Sequence, residues 1–212
     1  MRPALRPWLA GGLLCVGAAA AAVWIDRPLA LASQQLGSEA RALARLGSAL
    51  GNSAWVLVPS AAVLLLRRAG ALSALEQDWV KRCRQLFWTV AASGLLADVL
   101  KGVVARPRPK LWLHDGVVEP RWFHWFDAAW ASMPSGHTVT AVTLAWLVAH
   151  WQPRWAVPAY GLAAVVAASR IALGAHYLSD TLVGAAVALW VCAAAHGARS
   201  LTADARSAPP NA

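Results

Sequence analysis

The chain is poor in charged residues. Asp, Glu, Lys and Arg make up 14% of its 212 residues, whereas a soluble globular domain carries about 25%. Apolar residues reach 58%, and the mean hydropathy is +0.48. These values exclude an ordinary soluble domain and predict an integral membrane protein.

Cysteine is also scarce. Cys15 and Cys192 lie in apolar runs and Cys83 lies in a basic segment. Three scattered cysteines do not make a disulfide framework. We interpret them as small filler residues.

Domain linkers and internal repeats are missing as well. The sequence therefore predicts one domain over residues 1–201. The polar, proline-containing stretch 202–212 is predicted to be a disordered tail on the cytoplasmic side.

Acidic residues are few, with 10 Asp and Glu against 19 Lys and Arg, which gives a net charge of +9. Such basicity can indicate nucleic-acid binding. The cations lie at the ends of apolar runs, however, where anionic lipid headgroups explain them better. The expected partner is the bilayer and not a nucleic acid.

Long apolar runs are abundant. A transmembrane helix needs about 20 mostly apolar residues, and six runs approach that length, the fourth only if it extends into its flanks. The sequence predicts an all-α membrane bundle with spans at Trp8–Ile25, Gly47–Leu66, Gln85–Val104, His137–Trp151, Trp155–Leu173 and Tyr177–His196. The first run has a basic start and could instead be a cleaved signal peptide, but no clear cleavage site follows it.

The distribution of cations predicts the orientation. With the N-terminus inside, the inner loops hold ten Lys and Arg against three acids, and the outer side holds nine against seven. Three of the outer cations belong to the candidate site described below. The prediction is a multi-pass protein of the inner (plasma) membrane with its site on the periplasmic or extracellular side.

The longest outer segment, residues 105–133, is rich in aromatic residues. It opens with Arg106-Pro107-Arg108-Pro109, which is too proline-rich for a helix. Aromatic rings favour the bilayer interface. Two interpretations remain open: an anchor on the membrane surface, or a wall of the path by which a lipid reaches the site.

Two cations lie inside spans, where a lipid-facing helix would avoid them, and a third lies just outside. Lys101 and Arg170 lie near the outer ends of spans three and five, and Arg108 lies just beyond span three. Such residues are expensive in a membrane and usually functional. Together they can neutralise a phosphate group and its trigonal-bipyramidal transition state.

Two further stretches meet the same outer face. Pro134-Ser135-Gly136-His137 starts span four, where a helix N-terminus can bind an anion and Ser135 can donate its hydroxyl. Gly136 allows close approach of the backbone. His176 and Asp180 are four residues apart and share a helix face, so Asp180 can accept one ring proton and leave the other nitrogen of His176 free to attack phosphorus.

His137 can then protonate the leaving oxygen and later activate water. A core His–Asp pair or a metal site could use the same residue types. The metal site is disfavoured because cations crowd the position of a divalent ion. No metal or other cofactor is expected.

These motifs resemble those of the type 2 phosphatidic acid phosphatase (PAP2) superfamily, which also includes vanadium haloperoxidases. The family pattern KxxxxxxRP, PSGH and SRxxxxxHxxxD is matched by Lys101 to Pro109, Pro134 to His137, and Ser169 to Asp180. Arg106 is a second candidate arginine, but the family spacing selects Arg108.

The resemblance implies a metal-independent phosphatase with a PAP2/haloperoxidase-like helical core. His176 would form a phosphohistidine with Asp180 as its partner, and His137 would be the general acid. The implied phosphate-binding residues are Lys101, Arg108, Ser135, Gly136 and Arg170.

The substrate implied by the resemblance is a phosphorylated membrane lipid: phosphatidic acid, phosphatidylglycerophosphate, undecaprenyl pyrophosphate or a lipid A phosphate. The same chemistry could pass the phosphoryl group to a lipid or sugar, as in a phosphotransferase. A non-enzymatic lipid-binding or transport protein is a third possibility. A haloperoxidase is disfavoured because those proteins are generally soluble and larger.

Overall fold

Helices account for nearly all regular structure in the parts of the chain that the structure describes. The computed structural model describes residues 5–73 and 76–207, with side chains through residue 197. Its helices are α1 (Arg6–Trp24), α2 (Asp26–Gln34), α3 (Ser38–Ala49), α4 (Ala54–Arg68), α5 (Gln77–Val104), α6 (Pro109–Asp115), α7 (Gly136–Trp151), α8 (Ala156–Ala172) and α9 (Leu178–Ser207). Within these ranges there is no strand. The predicted all-α fold is confirmed.

Five helical segments are long and apolar enough to cross a membrane, so the protein is a multi-pass membrane protein. They are Arg6–Trp24, Ser38–Arg68, Gln77–Asp115, Pro153–Ala172 and Leu178–Gly197. They match five of the six predicted spans.

The fourth predicted span is α7, which has 16 residues. At 1.5 Å per residue it is about 24 Å long, shorter than a hydrocarbon core of about 30 Å. The expected extension into its flanks is not observed, because Pro134 precedes the helix and a turn at Pro153–Trp155 follows it. The helix packs among α5, α8 and α9, and this burial by protein explains how a short helix stands at the centre of the bundle.

The surface of the bundle is apolar and its interior contains small and polar residues. Leu13, Val58 and Val157 are each at least 66% exposed, as expected for lipid-facing side chains. Inside, the hydroxyl of Thr143 on α7 donates to that of Ser93 on α5 at 3.2 Å. Hydrogen bonds between small polar residues are a common way to hold membrane helices together.

The two ends of the bundle differ in chemistry. At the end where α5 begins and α7 ends, Trp151 donates from its indole to the Gln85 side chain at 3.1 Å, and the Arg82 guanidinium lies 5.7 Å from the Trp151 ring. The opposite end holds the predicted site residues. The backbone of α9 continues to Ser207 into the predicted tail 202–212, and residues 208–212 lie outside the described part of the chain.

The segment 105–133 contains more helix than its prolines suggested. The expectation that Arg106 to Pro109 cannot be helical holds only for its first residues, because α6 begins at Pro109. Proline is tolerated in the first turn of a helix, where its missing N–H has no intrahelical partner.

Candidate active site

The eight predicted site residues lie at one end of the bundle. Each stands at or near a helix end: Lys101 in the last turn of α5, Arg108 just before α6, Ser135, Gly136 and His137 at the start of α7, Arg170 in the last turn of α8, His176 before α9, and Asp180 in the first turn of α9. The antiparallel arrangement of the helices therefore brings together residues that are up to 79 positions apart.

His176 is buried and oriented by a backbone carbonyl. Its side chain is 3% exposed, and its Nδ1 lies 2.7 Å from the carbonyl oxygen of Ser132. The Oδ2 of Asp180 lies 3.7 Å from the same nitrogen, too far for a hydrogen bond. In this structure the Ser132 carbonyl lies closer to that nitrogen than Asp180 does, and the proton-accepting role of Asp180 stays a prediction.

Burial also affects the charge of this ring. It lowers the pKa of His176 from its ordinary value of 6.5, while the neighbouring Asp180 opposes the shift. A buried imidazole is costly to protonate. The neutral form, which has a free electron pair on one nitrogen, is favoured.

Asp180 is fully buried and bonded on both oxygens. Its Oδ1 accepts from Nη1 of Arg106 at 2.5 Å. Its Oδ2 accepts from the hydroxyl of Ser132 at 2.6 Å and from the backbone N–H of Tyr177 at 2.8 Å. Asp180 thus fixes Ser132, whose carbonyl in turn fixes His176.

Arg106 bonds two buried carboxylates. Its Nη2 donates to Oδ2 of Asp26 at 2.9 Å, in addition to the bond with Asp180. Asp26 is 2% exposed and accepts from the N–H of Ser179 at 3.0 Å and from its hydroxyl. The guanidinium lies 4.3 Å from the Tyr177 ring. Arg106 is therefore engaged by two carboxylates, and the choice of Arg108 as the phosphate candidate stays a prediction.

Arg108 and Arg170 have nitrogens that are buried but unpaired. Arg170 donates from Nη1 to the Ser48 hydroxyl at 2.5 Å, and Arg108 donates from Nη2 to the carbonyl of Ala131 at 3.4 Å. The Nε of each finds no acceptor among the described residues. Buried polar groups are nearly always hydrogen-bonded, so two unpaired guanidinium nitrogens indicate an anion site.

Lys101 and Gly136 lie against each other. The Nζ of Lys101 would lie 3.1 Å from a Cβ placed on Gly136, so the missing side chain leaves room for the ammonium group. The same Nζ donates to Oδ1 of Asp98 at 2.7 Å. This contact places the third cation beside the start of α7.

Ser135 is held from two sides. Its N–H donates to the backbone oxygen of Asp180 at 3.0 Å, and its hydroxyl accepts from that of Thr138 at 3.1 Å. The N–H of Ser135 is thus already used. The N–H groups in the first turn of α7 have no acceptor within the helix.

His137 lies two residues after Ser135, in the first turn of α7, where the charges of Arg170, His176, Lys101 and Arg108 act on it. The turn after α3 covers it, since a Cβ on Gly51 would lie 3.0 Å from the Cβ of His137. The two histidines therefore face a shared group of cations.

Three residues of the hydrogen-bond network around Asp180 were not predicted as site residues. They are Asp26, Ser132 and Arg106, the last of which was considered only as a second candidate arginine. Asp26 did carry a signal, since it is an acid at the end of an apolar run. Ser132 carried none, because it acts partly through a backbone carbonyl. Within the described ranges, no three His, Cys, Asp or Glu residues cluster as metal ligands.

Comparison with known proteins identifies the family. The sequence profile of the PAP2 superfamily matches residues 83–201, which is more than half of the chain and a range that contains the eight predicted site residues. The chain belongs to the PAP2 superfamily. The family assignment made from the motifs is confirmed.

Two relatives of the chain are described as lipid A 1-phosphatases. The protein of Rhizobium johnstonii is 32% identical over 157 residues, which cover 70% of this chain and 63% of that protein. The protein of Rhizobium etli is 30% identical over 198 residues, which cover 89% of this chain and 83% of that protein. The chain thus spans slightly less than two thirds of the first relative's length.

A solved PAP2 structure has the same fold. The chain resembles the PAP2-type phosphatidylglycerolphosphate phosphatase of Bacillus subtilis with a TM-score of 0.64 and 20% identity. The match covers 95% of this chain and 98% of that one. It therefore includes α1 to α4, which precede the region matched by the profile.

Proposed function

We propose that this PAP2 protein is a phosphatase that removes a phosphate group from a membrane lipid through a phosphohistidine intermediate. The observation that carries the proposal is the pair of unpaired guanidinium nitrogens on Arg108 and Arg170, beside the buried His176. A bound phosphate would supply their missing acceptors. It would also place its phosphorus near an imidazole that is favoured in the neutral form.

The first step transfers the phosphoryl group to His176. The carbonyl of Ser132 accepts the proton on Nδ1, which leaves the electron pair on Nε2 free. Nε2 attacks phosphorus, an N–P bond forms, and the bond from phosphorus to the lipid oxygen breaks. His137 gives a proton to that oxygen. The cations stabilise the charge on the equatorial oxygens of the transition state.

The second step returns the enzyme to its starting state. Water attacks phosphorus, the N–P bond breaks, and its electron pair returns to Nε2. His137 takes a proton from the attacking water, which restores the acid used in the first step. The products are the dephosphorylated lipid and inorganic phosphate.

The names of the Rhizobium relatives favour one substrate, the 1-phosphate of lipid A. The predicted orientation places the site on the outer side of the inner membrane.

The test is phosphate release by the detergent-purified protein from four lipids: lipid A 1-phosphate, phosphatidic acid, phosphatidylglycerophosphate and undecaprenyl pyrophosphate. Each reaction is run with and without EDTA and with His176→Ala. We expect release from lipid A 1-phosphate that resists EDTA and falls by at least about a thousandfold in the variant.

Turnover like that of wild type in folded His176→Ala would contradict the mechanism. Loss of activity in EDTA, restored by a divalent ion, would indicate a metal enzyme. Phosphate transfer that depends on an added lipid or sugar acceptor would instead identify a phosphotransferase.

A further inference from the structure

A groove opens sideways from the candidate site along α5. Its volume is about 550 Å³, within the range of about 300–1,000 Å³ for ligand pockets. We name it the α5 groove, and its main lining residues are Leu95, Asp98, Val99, Lys101, Trp125 and Phe126.

The α5 groove runs within the outer half of a membrane-spanning helix. Leu95 lies nine residues before Val104, the last residue of α5, which is about 14 Å along the helix axis. The side chains of Leu95 and Val99 are 68% and 43% exposed. At this depth an exposed apolar side chain faces the hydrocarbon of the bilayer.

Aromatic residues form the other wall. The segment 122–126 is fixed to the end of α5, because Phe123 donates from its N–H to the carbonyl of Val103 at 2.9 Å. Phe123 and Phe126 adopt positive φ values of 62° and 64°, which are uncommon for bulky residues. Phe126 is fully exposed.

Gly102 lets this wall approach the helix. The ring of Trp125 lies where a Cβ on Gly102 would stand. Any side chain at this position would push Trp125 away from α5 and change the width of the groove. The groove is therefore formed by close contact of two elements.

The end of the groove nearest the candidate phosphate site is lined by a residue of that site, Lys101. Lys101 lines the groove and also lies beside Gly136 at the start of α7. The carboxylates in the groove have partners there, since Asp98 accepts from Lys101 at 2.7 Å and Asp127 accepts from the N–H of Ala129 at 2.9 Å. The other wall residues are mostly apolar.

A second lateral groove lies between α7, α8 and α9. It has a volume of about 340 Å³ and is lined by Val142, Ala164, Ala168, Ile171 and Leu182 among others. It contains none of the eight candidate site residues. Of these two grooves, the α5 groove is the one that a residue of the candidate phosphate site, Lys101, lines.

We infer that the α5 groove holds an acyl chain of the lipid substrate while the phosphate lies on Lys101, Arg108 and Arg170. The inference rests on the proposed function for the identity of the phosphate site. It selects one of the two interpretations of the aromatic segment: this segment is a wall of the lipid path.

The first test is kinetic. Leu95→Trp and Val99→Trp fill the groove at positions outside the phosphate site. We expect kcat/KM to fall about tenfold or more for a long-chain lipid phosphate, because two or three methylene groups lose their burial. For the water-soluble para-nitrophenyl phosphate it should stay within about twofold of wild type. Leu96→Trp, on the same helix but outside the groove lining, is the matched control and should resemble wild type.

The second test does not depend on turnover. A long-chain phosphatidic acid with a photoreactive diazirine in the acyl chain is bound to the protein, cross-linked, and mapped by mass spectrometry. We expect labels in residues 95–99 and 122–126, reduced in Leu95→Trp. The same labelling in a protein that hydrolyses no lipid would support the groove and overturn only the proposed function.

Two results would overturn the inference itself. One is labelling centred on α8 together with a kinetic loss in Ala164→Trp, which fills the second groove. The other is an equal loss of activity on lipid and soluble substrates in Leu95→Trp and Val99→Trp. Equal losses would indicate a structural effect on the site.

Discussion

At the scale of single residues, two observations define the site: some side-chain nitrogens lack a hydrogen-bond acceptor, and one has an acceptor that was not predicted. The Nε atoms of Arg108 and Arg170 lack acceptors, whereas the Nδ1 of His176 has a carbonyl where a carboxylate was expected. The first fact concerns binding and the second concerns catalysis. Each leads to a separate prediction.

The two arginines should be needed for their hydrogen-bond geometry as well as their charge. Lysine keeps the charge but lacks the planar fork of donors. We expect Arg170→Lys and Arg108→Lys to weaken inhibition by orthovanadate, which mimics the pentacoordinate transition state. The inhibition constant should rise about tenfold to a hundredfold, the usual loss for hydrogen bonds to charged groups.

Arg154→Lys provides the control, because Arg154 lies at the opposite end of the bundle. Its inhibition constant should not change. Vanadate inhibition of equal strength in all three variants would show that the arginines do not contact the phosphate.

The pH dependence follows from the environment of His176. Protonation removes the electron pair used for attack, so activity falls as pH drops through its pKa. Because burial lowers that pKa below 6.5, we expect the acidic limb of kcat/KM to lie below pH 6.5. An acidic limb above pH 6.5 would contradict the assignment, provided that enzyme returned to neutral pH after each exposure regains full activity.

At the scale of elements, a buried network connects the start of α2 with the segment before α6 and the start of α9. Arg106 is bonded to both Asp26 and Asp180, which are 2% and 0% exposed. Removing one member of a buried ion pair leaves an uncompensated charge and costs about 3–5 kcal/mol. We expect Arg106→Gln to lower the free energy of unfolding in detergent by about this amount.

Asp26→Asn tests the coupling. The double variant Asp26→Asn with Arg106→Gln should be less destabilised than the sum of the single variants, since residues of one network are not additive. Strict additivity in thermal unfolding would mean that the observed bonds contribute little to stability.

The elements also show what could be predicted from the sequence. The motif spacing and alternating helix directions were sufficient to bring Lys101, His137 and Arg170 to one end, because these properties are local or topological. The Ser132 carbonyl and the Asp26–Arg106 pair could not be predicted, since they depend on how distant segments pack. The bounds predicted for α7, His137–Trp151, agree with the observed Gly136–Trp151 within one residue. The further extension into its flanks was expected because hydropathy does not reveal that neighbouring helices, and not lipid, surround it.

At the scale of the whole molecule, the cations form two groups, one at each end of the bundle. Basic residues such as Arg67 and Arg82 lie at the end opposite the site, as the positive-inside tendency requires for an outward-facing site. The site's own cations offset this bias in a raw count. Their burial distinguishes them, since a loop cation has no reason to place an unpaired nitrogen inside the protein.

The orientation can be tested by labelling single cysteines. Glu76 and Glu119 are both exposed and lie on opposite sides of α5. In a background with Cys15, Cys83 and Cys192 replaced by alanine, Glu119→Cys should react with a membrane-impermeant maleimide in intact spheroplasts, whereas Glu76→Cys should react only after lysis. The reverse pattern would place the phosphate site in the cytoplasm, where a lipid phosphate of the outer leaflet could not reach it.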